Sequence, residues 1–167
     1  MEMHEIEQAA KTIWSTWQGN RRIEAIPAEY RPATRIEGYQ VQAQVARLSA
    51  QKTFGWKIAA TSKAGQQHIG VDGPLAGRLL EKRIFPSGAK VPLTNNIMMV
   101  AEAEFAFRMA RDLPPRKIPY SLDEVIAAVD VMHPAIEVPD SRYRDFVTAG
   151  VAQLIADNAC ASYFVLG

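Results

Sequence analysis

The 167-residue chain has one cysteine, Cys160, so it can form no internal disulfide and a reducing compartment is its expected setting. No apolar run approaches the roughly 18 residues that a membrane-spanning helix needs. The opening MEMHEIEQAA is acidic, with no long apolar stretch before Trp14, unlike a secretory signal. Nor is there an excess of charge of one sign: 19 basic against 18 acidic side chains leave a formal +1, too little to draw the protein onto a phosphate backbone or an anionic membrane. The basic groups Arg21-Arg22, Lys82-Arg83 and Arg108 to Lys117 are small, broken by acids or prolines, and lack aromatic pairs on which bases could stack. The expectation is a cytoplasmic protein without nucleic-acid or membrane partners. What the chain does have is 48% hydrophobic and 22% charged residues, enough for one compact domain and inconsistent with a disordered tail, a collagen-like rod or a disulfide-stapled miniprotein.

Helical periodicity opens the chain. Ile6, Ala9, Ala10, Ile13, Trp14 and Trp17 recur on one side and Gly19-Asn20 ends the helix. The polar, proline-broken RRIEAIPAEYRPA is a connector that Ile23 and Ile26 can anchor. Thr34 and Glu37 form a capping box that starts a second helix, with Ile36, Val41, Val45 and Leu48 along one side and Gly38 weakening its first turn. FGWKIAAT, Phe54 to Thr61, has the pattern of a buried strand. Ser62 can cap a short helix through His68, ahead of the turn-rich Gly70 to Pro74. Arg78 to Phe85 fits a strand or a short helix. A strand from about Met98 to Met109 follows, then a capped helix from Ser121 and Glu124 to about Val129, a strand in HPAIEV, a helix over Ala149 to Ala159 and a last strand to Leu166.

Two features of this pattern carry chemistry. Lys57 interrupts an apolar strand, where an isolated ammonium is costly, so it either reaches water at an edge or points into a pocket. In VAEAEFAF, strand alternation sets Glu102 and Glu104 on one face, while Met99, Ala101, Ala103, Phe105 and Phe107 make the other too apolar to be exposed. A third acid, Glu137, interrupts the strand around Ile136. If these carboxylates converge, an oxygen-rich set suits magnesium or manganese rather than structural zinc. A solvated sheet face is the alternative.

Four segments in order, GWKIAATSKAGQQHIGVDGPLAGRLL, VAEAEFAF, HPAIEVPDSRY and IADNACASYFVLG, resemble the 2-oxopent-4-enoate (2-hydroxypenta-2,4-dienoate) hydratases and related 4-oxalocrotonate-type decarboxylases of the fumarylacetoacetate hydrolase superfamily. The resemblance covers nearly the whole chain. It implies an α+β fold, a mixed β-sheet roll of that superfamily's C-terminal-domain type, with an N-terminal helical arm at 1–50 and a partial catalytic roll at 51–167. Family chains continue past the strand matching FVLG, so the roll is expected to be incomplete.

The resemblance also assigns residues. It places the paired metal-binding glutamates at Glu102 and Glu104, the third acidic ligand at Glu137 and the active-site lysine at Lys57. The implied Mg2+ or Mn2+ would be chelated by substrate carboxylate and 2-oxo oxygens and stabilise an enolate. A 2-hydroxy-2,4-dienoate would ketonise and take up water to give a 4-hydroxy-2-oxoacid, a step of aromatic-compound catabolism. Lys57 would orient the substrate carboxylate or move a proton.

Further substrate contacts are open to Lys63 from the short helix, to Arg142, and to Ser162, which could compensate for the small hydroxyl residues that relatives often carry at Cys160-Ala161. Leu75 stands where many relatives have an acid. His68 and His133 read as polar groups, Cys160 as a small buried residue, and Trp14 and Trp17 as packing or subunit-contact residues. A decarboxylase acting on a 2-oxo-enedioate is the alternative, and it would require a cationic subsite for the distal carboxylate. An acylpyruvate hydrolase lacks a clear base here. A catalytically incomplete accessory subunit would keep the fold for assembly. A homo-oligomer or a partner subunit is expected to cover open strand edges.

Overall fold

The computed structural model describes residues 1–167. In chain order the elements are α1 (Met3–Gln18), α2 (Arg35–Ser49), β1 (Thr53–Ala59), α3 (Lys63–His68), β2 (Leu75–Leu80), β3 (Ile84–Pro86), β4 (Glu102–Met109), α4 (Leu122–Ile126), β5 (Val129–Val138), α5 (Val151–Ala156) and β6 (Tyr163–Leu166). The architecture is mixed α and β, as expected. Strands β1 and β2 form an antiparallel pair. The second sheet runs β3-β6-β5-β4, with β3 parallel to β6 and the other pairs antiparallel. No helix is long and apolar enough to cross a membrane.

The capping boxes at Thr34/Glu37 and Ser121/Glu124 form as the sequence predicts, and Ser62 Oγ accepts from the Gly65 amide to start α3. The helices of the expected arm at 1–50 pack against residues of 51–167. Ile6, Ala9, Ile13 and Trp17 of α1 and Val41 and Val45 of α2 share one buried cluster with Leu80, Tyr143 and Ala156. Ile26 anchors the connector in that core, and Ile23 bridges to Tyr143. Ile36, expected on the inner side of α2, is 72% exposed.

Two apolar faces point outward, against the sequence reading. On β1, Phe54, Trp56 and Ile58 are about half exposed and Lys57 is the buried residue. On β4, Phe105 and Phe107 are exposed, opposite Pro134 and Met132 of β5, and Ile136 beside Ala103 continues the patch. A strand's two faces are equivalent to its sequence until another layer covers one of them. Here the cover lies over the side that bears the charged groups.

Gly38 has a packing role rather than being only a weak point. A Cβ at this position would lie 2.5 Å from the Ala152 carbonyl oxygen and 3.0 Å from Ile155 Cβ, so its absence lets α2 lie directly on α5. Helix propensity alone would make Gly38→Ala stabilising by about 1 kcal/mol. The contact reverses the sign, and a loss of about 1–3 kcal/mol is expected, read as a lower urea midpoint at unchanged m-value.

Candidate metal centre and cavity

The antiparallel register of β4 and β5 sets Glu102 directly opposite Glu137, and Glu104 follows on the same face of β4. Carboxylate oxygens from all three lie within 4.8 Å of one another. Like charges opposed across strands are destabilising, and at an effective dielectric constant of about 20 each ionised pair at this separation costs roughly 3 kcal/mol. The arrangement therefore demands a countercharge, a proton or both.

Lys57 supplies one positive charge. Its Nζ stands 3.1 Å from Glu137 Oε1 and donates to the Ala159 carbonyl oxygen at 3.1 Å. The ion pair is almost wholly buried on both sides. Burial pushes Glu137 up to about 7 even though the Lys57 charge pulls it back, and the neighbouring Glu102 and Glu104 add to the rise. Glu104 is raised too, first by burial and then by Glu102. Glu137 Oε1 accepts no hydrogen bond of normal angle. Three carboxylates with an undersatisfied buried oxygen and no thiolate or imidazole among them form a donor set that fits a hard divalent cation.

A left-handed turn positions the lysine. Asn158, Ala159 and Cys160 have φ of 57°, 50° and 60°, a conformation costly for residues with a Cβ. It presents the Ala159 carbonyl to Lys57. Asn158 clamps β2, accepting from the Arg78 amide at 2.7 Å and donating to the Arg78 carbonyl at 2.8 Å. Gly77, paired with Lys57 across β1 and β2, admits this turn, since a Cβ there would lie 2.3 Å from the Asn158 carbonyl oxygen. Buried Asp157 holds the turn from the other side, accepting from Ser141 Oγ at 2.9 Å, the Arg142 amide at 3.0 Å and Arg142 Nε.

Lys57, Glu102 and Glu104 line a cavity of about 370 Å³, with Glu137 buried beneath Lys57. Ile69, Leu75, Met98, Phe146 and Leu154 form a contiguous apolar part of its wall. The other expected substrate contacts are not part of that wall. Arg142 is 1% exposed, paired to Asp157, and lies 4.1 Å over the Trp17 ring, so its charge is spent inside the protein. Lys63 sits on the exposed side of α3, with Nζ 3.5 Å from Gln66 Oε1. Ser162 is buried away from the cavity. Cys160 does line it, but burial pushes its thiol up to about 12, so it stays a neutral packing group. Sequence reasoning missed Met98, Phe146 and Leu154 as cavity residues: Met98, expected at the start of a strand, lies in the bend before β4, Phe146 in the loop before α5 and Leu154 on α5.

No family model matches the chain. Curated relatives do: it is 35% identical over 128 residues to a 2-keto-4-pentenoate hydratase of Burkholderia vietnamiensis, covering 77% of this chain and 48% of that protein. It is 32% identical over 137 residues to a 4-oxalocrotonate decarboxylase of a Pseudomonas species, covering 82% and 51%. Among solved structures, 4-oxalocrotonate decarboxylase from Pseudomonas putida G7, complexed with magnesium and adipate, superposes on all of this chain and 64% of its own, with a TM-score of 0.87 at 26% identity. The chain belongs to the family of these hydratases and decarboxylases. It spans about half the length of the curated relatives just described.

Within this family frame, the metal-free chain has a pH signature. Glu137 binds its proton more tightly folded, at about 7, than unfolded, at 4.5, so the folded state holds the extra proton between those values. Stability is fully supported below pH 4.5 and falls as pH rises towards 7, by roughly 3 kcal/mol. Urea midpoints in chelator at pH 5 and 7.5 are expected to show this decline, and Glu137→Gln to flatten it.

Proposed function

We propose that this chain is, or forms the metal-binding part of, a divalent-metal-dependent hydro-lyase that hydrates a 2-hydroxy-2,4-dienoate to a 4-hydroxy-2-oxoacid. The observation that carries the reading is the convergence of Glu102, Glu104 and Glu137 within 4.8 Å, beside buried Lys57, on a cavity of substrate size. Relatives named as hydratases support it, and the magnesium in the decarboxylase neighbour supports the choice of metal, with manganese the other candidate. The fold is read as the β-roll of the fumarylacetoacetate hydrolase superfamily's C-terminal domain.

Glu102, Glu104 and Glu137 would hold the cation. When bound, it supplies positive charge for the negative charge that grows on the substrate's 2-oxo oxygen. Lys57 has three N–H donors: one goes to Ala159, one faces Glu137, and the third is left for the substrate carboxylate. Anchored at both contacts, it orients the substrate head. The apolar wall shields the diene from water on that side.

A decarboxylase of a 2-oxo-enedioate is the second reading, favoured by the structural match to such an enzyme. Both reactions develop negative charge on the same oxygen, so the head site serves either. The outward apolar faces of β1 and of the β4-β5 pair support the view that the chain works within an assembly.

Calorimetric titration of Mg2+ and Mn2+, with and without oxalate as a mimic of the substrate head, tests the site. Oxalate is expected to tighten metal binding at least tenfold, and Glu104→Ala to abolish the effect. Consumption of 2-hydroxypenta-2,4-dienoate should then depend on the metal and be lost in Lys57→Met. Absence of metal binding by the wild-type chain would falsify the reading.

A further inference from the structure

The β4-β5 ladder ends at the pair Glu102 and Glu137, yet side chains keep the two segments joined beyond it. Asp140 Oδ1 accepts from the Ile97 amide at 3.0 Å, and Asp140 Oδ2 accepts from Arg22 Nη2 at 2.6 Å. The same Arg22 nitrogen donates to the Asn95 carbonyl oxygen at 2.6 Å. Asn96 Nδ2 donates to the Pro139 carbonyl oxygen at 2.8 Å, and Asn96 Oδ1 accepts from the Met99 amide at 2.8 Å. Residues 95–97 are thus fastened to 139–140 much as a further rung of the sheet would fasten them.

This rung is out of step with the ladder. Between the tie of Ile97 to Asp140 and the pair of Glu102 with Glu137, residues 98–101 on one side face only 138 and 139 on the other. The longer side has to bulge. It arches onto the cavity, where Met98 and Val100 line the wall together with Pro139, and it sets Met99 at φ 50°, a left-handed conformation costly for a residue with a Cβ. The arch runs directly into Glu102, the first residue of β4, so slack at its foot is passed on to that carboxylate.

Arg22 and Asp140 make the foot firm. Their side chains are 11% and 14% exposed, which leaves little water to compete with the charge-assisted bond. The connector that carries Arg22 is itself held to the segment following Asp140: Ile23 donates to the Arg142 carbonyl oxygen and accepts from the Arg144 amide, each at 3.0 Å. Neither Arg22 nor Asp140 lines the cavity.

We propose that Asp140, with Arg22 as its counter-ion, is a positioning residue for the metal centre: it fixes the arch at 98–101 and, through it, the place of Glu102 among the three carboxylates. The inference rests on the reading of that cluster as the cation's site.

Asp140→Asn isolates the tie. A carboxylate has one oxygen for each of its two donors, whereas the side-chain amide has a single oxygen and leaves either Ile97 or Arg22 unserved. Amide exchange and calorimetric Mn2+ titration are measured on the full chain as wild type, as Asp140→Asn and as Ile13→Val, a reference that loses one core methyl from α1. In the metal-free Asp140→Asn chain, exchange at Ile97 and Met99 is expected to quicken about tenfold or more, with the amides between β5 and β6 unchanged. Mn2+ affinity is expected to fall about tenfold in Asp140→Asn, to stay unchanged in Ile13→Val, and to fall no further when Arg22→Met is added to Asp140→Asn. Unchanged exchange at Ile97 and Met99 would overturn the proposal, as would a quickened arch with unchanged Mn2+ affinity, which leaves the metal site standing. Exchange quickened throughout β4 to β6, or an equal loss of affinity in Ile13→Val, would overturn it in favour of plain support of the fold. If Asp140→Asn does not fold, Asn96→Ala, which cuts the arch's other tie, is judged by the same two measurements. If the wild type binds no Mn2+, the cation reading falls and the proposal falls with it.

Discussion

Three carboxylates and one ammonium share a corner in which Glu137 and Lys57 are buried while Glu102 and Glu104 face the cavity, and the rest of the structure is arranged around that imbalance. The β4-β5 register brings Glu102 and Glu137 face to face, a pairing that a sheet would ordinarily avoid. Lys57 offsets one charge, and a proton on Glu137 can offset another when no metal is present. Such a cluster stores repulsion that a divalent cation relieves. Affinity for a metal and strain in its absence are therefore the same property seen from two sides.

The helical core and the charged corner meet in the short turn at Asp157 to Cys160. Asp157 anchors the turn through Ser141 and Arg142, and Trp17 of the first helix covers the Arg142 guanidinium. Asn158 ties the turn to β2, and Ala159 holds the lysine. Three consecutive left-handed residues are expensive, and they persist because buried hydrogen bonds on both sides determine them. Arg142, which in sequence resembles a substrate contact, thus acts at a distance by keeping this turn in place. The chain's N-terminal helices are part of the same mechanical path, since Trp17, Val41 and Val45 pack in the cluster that includes Tyr143 and Ala156.

Much of the secondary structure was legible from local chemistry. Both capping boxes, the Ser62 cap, the first helix and the placing of Glu102 and Glu104 on one face follow from side-chain hydrogen bonding and from the strand period of two. Resemblance added the pairing of those acids with Glu137 and Lys57. What misled the reading was the direction of the apolar faces. Phe54, Trp56, Phe105 and Phe107 face out, because alternation separates two faces without saying which one is covered. Gly38 misled for a related reason: its cost to the helix is local, while the close approach of Ala152 that requires it comes from more than a hundred residues along the chain.

Sequence alone therefore determined the residue types available to the site and the faces on which neighbouring residues lie. Those depend on interactions within a few positions. Tertiary structure alone decided that the three carboxylates meet, that Lys57 turns inward, that Arg142 is consumed by Asp157, and that Met98, Phe146 and Leu154 wall the cavity. Each of those outcomes depends on which distant segment fills the space beside a side chain, and the burial that shifts a charge or shapes a pocket exists only once the segments have packed.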